Sequence, residues 1–313
     1  MANSPTIKDA KAITVTFLTN VSLGSLNGSD KEADNVSSIK KLTRGSSTFP
    51  YMSSQAVRRA LRDQLGVLGH ELSEGVAAKE SKGAAITQCE PKKYIDDDLF
   101  GFMDAARSGT HKRTSPVRVS PLLAMDAYEG DLDFGTNYMS VDAGGTPNIF
   151  ETEIHGGLYR GTILIELDAV GVSRDGEKEN AKAKETATPG KKTWEVSEKD
   201  KAARVIAVLQ ALQHLWSSGR QSRFLSDISP KFVAAAALTA KVPIFLESVI
   251  CTKNGINKEA LSETLADSKS ILLESVYGKK NGMFNGDAPE NCKTVGEAFE
   301  VIASWVNKHY GVE

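Results

Sequence analysis

The sequence predicts an α+β fold whose core elements run strand, helix, strand, strand, helix, strand, the split βαβ order of ferredoxin-like and RNA-recognition folds. Three observations predict it. Ile13, Val15 and Phe17 alternate with Thr14 and Thr16, and Ile163, Ile165 and Leu167 alternate with Glu166 and Asp168; this is the period of strands with one buried face. Val57, Ala60, Leu61, Leu65 and Leu68 form a helical stripe behind Ser53 and Ser54, whose hydroxyls suit the free amides of a first turn. A second stripe, Val205, Val208, Leu209, Leu212 and Trp216, follows Ser197 with Asp200 three residues on and leads to the apolar run Phe232 to Leu238, which reads as a buried strand.

The remaining elements follow in order. Ser22 to Asp30 is rich in Gly, Ser and Asn and is expected to be a loop. From Gly69 to Lys112 the apolar groups are short and scattered, which fits an insertion packed on the main sheet. Val117 to Ala124 is expected as a strand starting after Pro116, with Pro121 tolerated only at an edge or bulge. Asp126 to Gly157, with its Gly, Asp and aromatic residues, suggests a protruding hairpin or long loop. Ser173 to Lys192 has almost nothing to bury and reads as a mobile loop. Phe232 to Ile250 is interrupted by Lys241, Pro243 and Glu247, which argues against a membrane span and for buried strands with a turn. Helices are expected near Lys258 to Tyr277 and Val295 to His309.

Charge bounds the function. Lys and Arg number 38 against 40 Asp and Glu, so binding of nucleic acid by bulk charge is excluded and any such surface must be local. Three dispersed cysteines, Cys89, Cys251 and Cys292, suggest neither a disulfide framework nor a metal clip. No basic start followed by an apolar run opens the chain, and the expected compartment is the cytosol.

Arginines nevertheless cluster. Arg58 and Arg62 are four residues apart on the helix after Ser53 and share one face, while Ser53, Ser54 and Gln55 stand at its positive end, where a phosphate is welcome. Arg59 is placed to face Asp63. A second cluster is His111, Lys112, Arg113 and Arg118, and a third is Arg220, Gln221 and Arg223 after Gly219. Three clusters at the edges of core elements are expected to line one groove, where guanidinium groups suit phosphate oxygens.

Catalytic signatures are scarce. Pro189 to Thr193 hints at a phosphate-binding loop, but Glu185 and Lys192 stand where a Walker motif needs Gly and Ser or Thr. No GxSxG, HExxH or GxGxxG occurs, and the five histidines are dispersed, so no cofactor, metal or catalytic residue is expected. Asp96, Asp97 and Asp98 form the one acidic cluster open to a metal reading, with a turn or helix cap as the plainer explanation.

Four segments carry a family resemblance: NVSLGSLN at residues 20–27, YMSSQAVRRALR at 51–62, DLFGFM at 98–103 and RTSPVRVSP at 113–121. Together they resemble the backbone subunit of type I CRISPR Cascade complexes, the Cas-seven group, with the DevR-like branch most similar. The resemblance spans most of Ile13 to Leu238, and the Ser-Ser-Gln helix start before basic residues is its most specific part.

The resemblance implies one right-hand-shaped domain: a modified RNA-recognition palm (about 12–66, 113–125, 158–170 and 197–250), a finger insertion (about 69–112) and a thumb hairpin (about 126–157). It implies a loop at about 173–192 and C-terminal helices at about 257–310. Copies would stack along the spacer of a guide crRNA, each thumb flipping one base while the rest pair with a target DNA strand. Implied partners are a 5′-end cap subunit, a large subunit and a repeat-processing endoribonuclease. Phosphate-facing positions fall on Ser53, Gln55, Arg58 and Arg62, with Asn27 and Arg44 in the loop before them and Arg113 before the next strand. Gly219, Arg220 and Gln221 resemble the loop that closes on the backbone. Met139, Ile149 and Phe150 are the wedge candidates, since apolar wedges unstack neighbouring bases.

A scaffold for any spacer must hold sugar and phosphate and leave base edges to pairing, and the absence of aromatics from the basic clusters agrees with that. Two other readings compete. A related subunit of type III complexes cuts RNA with a loop aspartate, for which Asp96 to Asp98 or Asp126 would serve. A stand-alone RNA-binding regulator would act without a complex.

Overall fold

A computed structural model describes residues 5–29, 35–77, 85–106, 109–138, 142–146, 148–180, 192–216, 221–252, 255–284 and 289–312. Its main sheet contains eight antiparallel-paired strands. These are β1 (Ala12–Val21), β2 (Lys41–Arg44), β3 (Ser47–Met52), β4 (Val117–Val119), β5 (Leu122–Ala124), β8 (Gly157–Glu166), β9 (Phe232–Leu238) and β10 (Leu272–Lys279). A hairpin of β6 (Asp131–Asn137) and β7 (Asn148–Ile154) forms a second sheet, in which Val36–Ser37 pairs parallel to β7. The helices are α1 (Ser54–Val67), α2 (Ile95–Phe100), α3 (Glu198–Gln213), α4 (Lys258–Asp267) and α5 (Val295–Tyr310).

Strand β1 lies between β8 and β9, in register from Ala12 opposite Glu166 on one side and Leu238 on the other. Strand β4 pairs with β8 on the side away from β1. The connection from β1 through α1 to β4 therefore skips one strand, which is the split arrangement expected from the element order. Pro121 falls in the break between β4 and β5, where no ladder amide is needed.

Alternation builds two cores. Ile13, Val15 and Phe17 pack with Val57, Leu61 and Leu65 of α1, with Val205, Val208 and Leu212 of α3, and with Ile302 and Trp305 of α5. Leu18, Phe232, Ala234 and Ala236 point to the other face and pack with Phe245, Val249 and Leu261. No helix among the described residues is long and apolar enough to cross a membrane.

Four sequence expectations are corrected. The helix starting at Lys258 stops at Asp267, and Leu272–Lys279 is instead an edge strand on β9; Val276 and Tyr277 favour a strand once Ser268 has ended the helix. The run Phe232 to Ile250 supplies one strand, β9, and then turns. Trp216 is not on the buried stripe, because the helix ends at Gln213 and His214 leaves helical geometry (φ −111, ψ 31). Residues 173–180 are not bare loop: Glu177 is buried, accepts from Arg113 at 2.7 Å and from the Thr114 amide at 2.9 Å. Residues 181–191 of that expectation lie outside the described residues.

Candidate nucleic-acid interface

The start of α1 is built from two of the expected residues. Ser53 is the N-cap, and its hydroxyl accepts the Ala56 amide at 3.3 Å. Its own amide donates to Asn27 Oδ1 at 2.9 Å, so the loop after β1 is tied to the helix start. Ser54 and Gln55 follow in the first turn, where amides have no intrahelical acceptor and the helix dipole is positive. Gln55 is exposed.

The two arginines on this helix differ. Arg58, half-buried, has an Nε that is buried and without a hydrogen-bond partner among the described residues. Burial lowers its pKa from the ordinary guanidinium value, and a cation so placed is stabilised by an arriving anion. Arg62 is already engaged: Nε donates to Asp96 at 2.7 Å and an Nη donates to the Ser73 carbonyl. These bonds tie α1 to Ser73 and Asp96. Arg59 donates to Asp63 at 2.7 Å, as its spacing implies.

Arg113 is turned into the fold. It is buried, and its guanidinium binds the Asp98 carboxylate, Glu177 at 2.7 Å, and the carbonyls of Asp98 at 2.8 Å and Ala169 at 2.8 Å, with Trp194 against its face at 4.7 Å. In the strand Gly109–Arg113 alternate residues face inward, so His111 is buried with it and only Lys112 of that trio reaches solvent. Arg118 donates to the buried Glu166 at 2.6 Å. Of the expected second cluster, His111 and Arg113 are thus buried, and Lys112 and Arg118 are exposed.

The acidic run is structural as well. Asp98, fully buried, receives Arg113, Arg204 at 2.6 Å and the Gly171 amide at 2.9 Å. Asp96 receives Arg62 and the Ser73 amide at 2.9 Å. Asp97 accepts the Glu90 amide at 2.8 Å, and burial raises its pKa. All three side chains are buried in the fold, and Asp97 Oδ1 has no hydrogen-bond partner among the described residues. Among the described residues no three His, Cys, Asp or Glu side chains form a metal-binding group. Asp126, the other candidate for RNA cleavage, is exposed and accepts the Leu158 amide at 3.4 Å.

Gln221 is held in a short helical turn, Gln221–Phe224, by donation to the Ser226 carbonyl at 3.1 Å, and its Oε1 is buried without a partner among the described residues. The Ser226 hydroxyl donates to the Leu23 carbonyl at 2.9 Å. Gln221 and Asn27 are thereby attached to one loop, residues 22–27. Gly219 and Arg220 lie outside the described residues. Arg44 is exposed at a turn and lines a separate cleft of about 470 Å³ with Tyr51, Leu123 and Arg160; no other expected site residue lines that cleft.

The hairpin β6–β7 separates the wedge candidates. Opposite pairs Leu132–Glu153, Phe134–Glu151 and Thr136–Ile149 share one face, and Asp133–Thr152 and Gly135–Phe150 share the other. Ile149 is exposed beside Phe134 and Leu132, which the sequence reading did not single out although Leu132 and Phe134 alternate with Asp133 and Gly135. Phe150 faces the body, its ring lying over Gly135 and under the Arg223 guanidinium at 4.8 Å. Arg223 also binds Asp133 and donates to Thr152 at 3.1 Å. Phe150 and Ile149 therefore lie on opposite faces of the hairpin. Met139 lies outside the described residues.

Comparison with known proteins agrees with this architecture. The family model described as CRISPR-associated negative auto-regulator DevR/Csa2 matches residues 13–259. A curated protein of Myxococcus xanthus (strain DK1622), "CRISPR-associated protein Cas7/Cst2/DevR", is 26% identical over 219 residues, 64% of this chain. The match spans 63% of that relative's length. A chain of a solved pre-nicking CRISPR RNA-guided surveillance complex superposes with a TM-score of 0.61 at 12% identity, over 95% of this chain and 100% of the other. A chain of another such surveillance complex gives 0.57 at 14% identity, over 94% and 98%. At these identities the structures share the fold.

Proposed function

Because the chain belongs to the family of CRISPR-associated negative auto-regulators DevR/Csa2, we propose that it is a crRNA-binding backbone subunit of a CRISPR surveillance complex in antiviral defence. It acts as a non-catalytic scaffold. The observation that carries the reading is Arg58, a half-buried cation with an unpartnered Nε one turn above the Ser53 cap. A phosphate beside it would satisfy that nitrogen while the Gln55 end of the helix completes the anion site.

In this reading the RNA-recognition-like palm holds sugar and phosphate along Asn27, Ser53, Gln55 and Arg58, with the Gly219–Arg220–Gln221 loop closing from the other side. No base edge is read, so any spacer is accepted and its bases remain free to pair with target DNA. The hairpin acts as the thumb, with Ile149 on its exposed apolar face as the wedge. Copies of the chain assemble head to tail along the strand, and the cap subunit, large subunit and repeat-processing endoribonuclease complete the complex.

Sequencing the nucleic acid that co-purifies with the chain tests the proposal. A uniform population of repeat-derived RNAs is expected. Recovery of the chain free of RNA and of partner subunits would count against it.

A further inference from the structure

An exposed tryptophan stands beside the loop that carries the proposed strand track. Trp216 is 51% exposed, whereas Trp194 and Trp305 are each 4% exposed. Across a cleft of about 420 Å³ stands Leu225, 73% exposed. Leu225 is held at φ 47 by donation of its amide to the Gln221 carbonyl at 2.9 Å, a left-handed conformation that a residue with a Cβ adopts only when its surroundings impose it. An exposed aromatic side chain and an exposed aliphatic one thus line the same cleft. Ser226, Asp227 and Ser229 supply the polar rim.

The chemistry of this cleft differs from that of the helix start. No lysine or arginine lines it; His214 does, and Asp227 is paired with Lys231 at 2.5 Å and accepts the Ser229 amide at 2.9 Å, so the lining offers a phosphate no unpaired lysine or arginine. A flat, neutral ring fits: its face stacks on the indole, the leucine side chain covers its other side, and its polar edge lies toward the rim of the cleft. Position selects the occupant. Ser226, in the cleft wall, donates to Leu23 at 2.9 Å, and four residues on Asn27 receives the Ser53 amide at 2.9 Å. The cleft thus opens on the same loop that supports the helix start.

We propose that the cleft between Trp216 and Leu225 is a stacking site for one nucleobase of the bound single strand. The proposal rests on the strand-binding reading above and adds a base contact to a surface otherwise devoted to phosphate. Stacking of this kind is tolerant of sequence because every base has a π face, so it is compatible with a scaffold for any spacer.

The test is titration of the full chain with a single-stranded oligoribonucleotide, reading both affinity and tryptophan fluorescence. Binding is expected to quench emission and to shield Trp216 from iodide. Trp216→Phe should keep affinity within about threefold and abolish the quenching, which assigns the signal and shows that the fold persists. Trp216→Ala should weaken binding on the order of tenfold. Salt-dependent binding without quenching, or with full affinity in Trp216→Ala, would overturn this proposal alone and assign the cleft to a protein contact. Absence of any binding would overturn the strand-binding reading together with it.

Discussion

Arg62 donates to Asp96 at 2.7 Å, while Arg58, one turn earlier on the same helix face, leaves a buried Nε without a partner. Two arginines equivalent by spacing thus have different work. Arg62→Ala is expected to lower stability by about 2 kcal/mol, because it strips a charge-assisted hydrogen bond from a buried carboxylate. Arg58→Ala should leave the denaturation midpoint unchanged or raise it, since no internal bond is lost. Urea unfolding of the two variants separates these outcomes, and equal losses of stability would show that Arg58 has an internal role.

A deeper loss is expected at Asp98. It joins Arg113 at the end of the strand Gly109–Arg113, Arg204 from α3 at 2.6 Å and the Gly171 amide at 2.9 Å. Asp98→Ala takes the carboxylate from the buried Arg204, leaves Arg113 with Glu177 alone, and should cost about 3–5 kcal/mol, as for other broken buried pairs. A variant with a wild-type unfolding midpoint would contradict this network.

On the hairpin, neighbouring residues should behave oppositely. Phe150→Ala removes the ring that lies between Gly135 and Arg223, and limited proteolysis should then cut at β6–β7 faster than in the parent chain. Ile149→Ala changes an exposed side chain and should leave proteolysis unaltered while changing the nuclease-protection pattern of bound guide RNA. Equal protease sensitivity of the two variants would argue against the assigned faces.

Acid should weaken the fold through two histidines. Burial holds His155 and His309 below the ordinary imidazole pKa, against opposing pulls from Asp126 and Glu198 respectively. His155 Nδ1 lies 2.9 Å from the Tyr159 hydroxyl. With a folded-state pKa below that of the unfolded chain, the unfolded state binds the proton more readily. Stability is therefore full above about pH 7 and falls as pH drops through the unfolded value near 6.5 toward the folded one. Tm measured from pH 8 to pH 5 should decline, and His155→Gln with His309→Gln should flatten the decline. An unchanged slope in the double variant would assign the effect elsewhere.

What was legible in the sequence was local. The alternation of Ile13 to Phe17 and the stripe from Val57 to Leu65 report burial within a few residues, so β1 and α1 were readable, as were the Ser53 cap and the Arg59–Asp63 pair. The partners of the other charges were not. Arg62 and Asp96 are separated by 34 positions, and Arg204 and Asp98 by 106, and nothing near either residue signals the pairing. Arg113 looked like part of a basic surface because Lys112 beside it is exposed, although strand alternation turns the two in opposite directions. Leu272 to Lys279 was misread because the helical stretch before it masked a change of period after Ser268.

The central claim is that Arg58 grips the RNA backbone without reading sequence. Guide RNAs with unrelated spacers, bound to the parent chain and to Arg58→Ala over a range of salt concentrations, test it most directly. The account predicts that Arg58→Ala weakens every guide by the same factor, about five- to tenfold, and makes the dependence of log affinity on log salt shallower by about one. Unchanged affinity, or a loss confined to some spacer sequences, would contradict it.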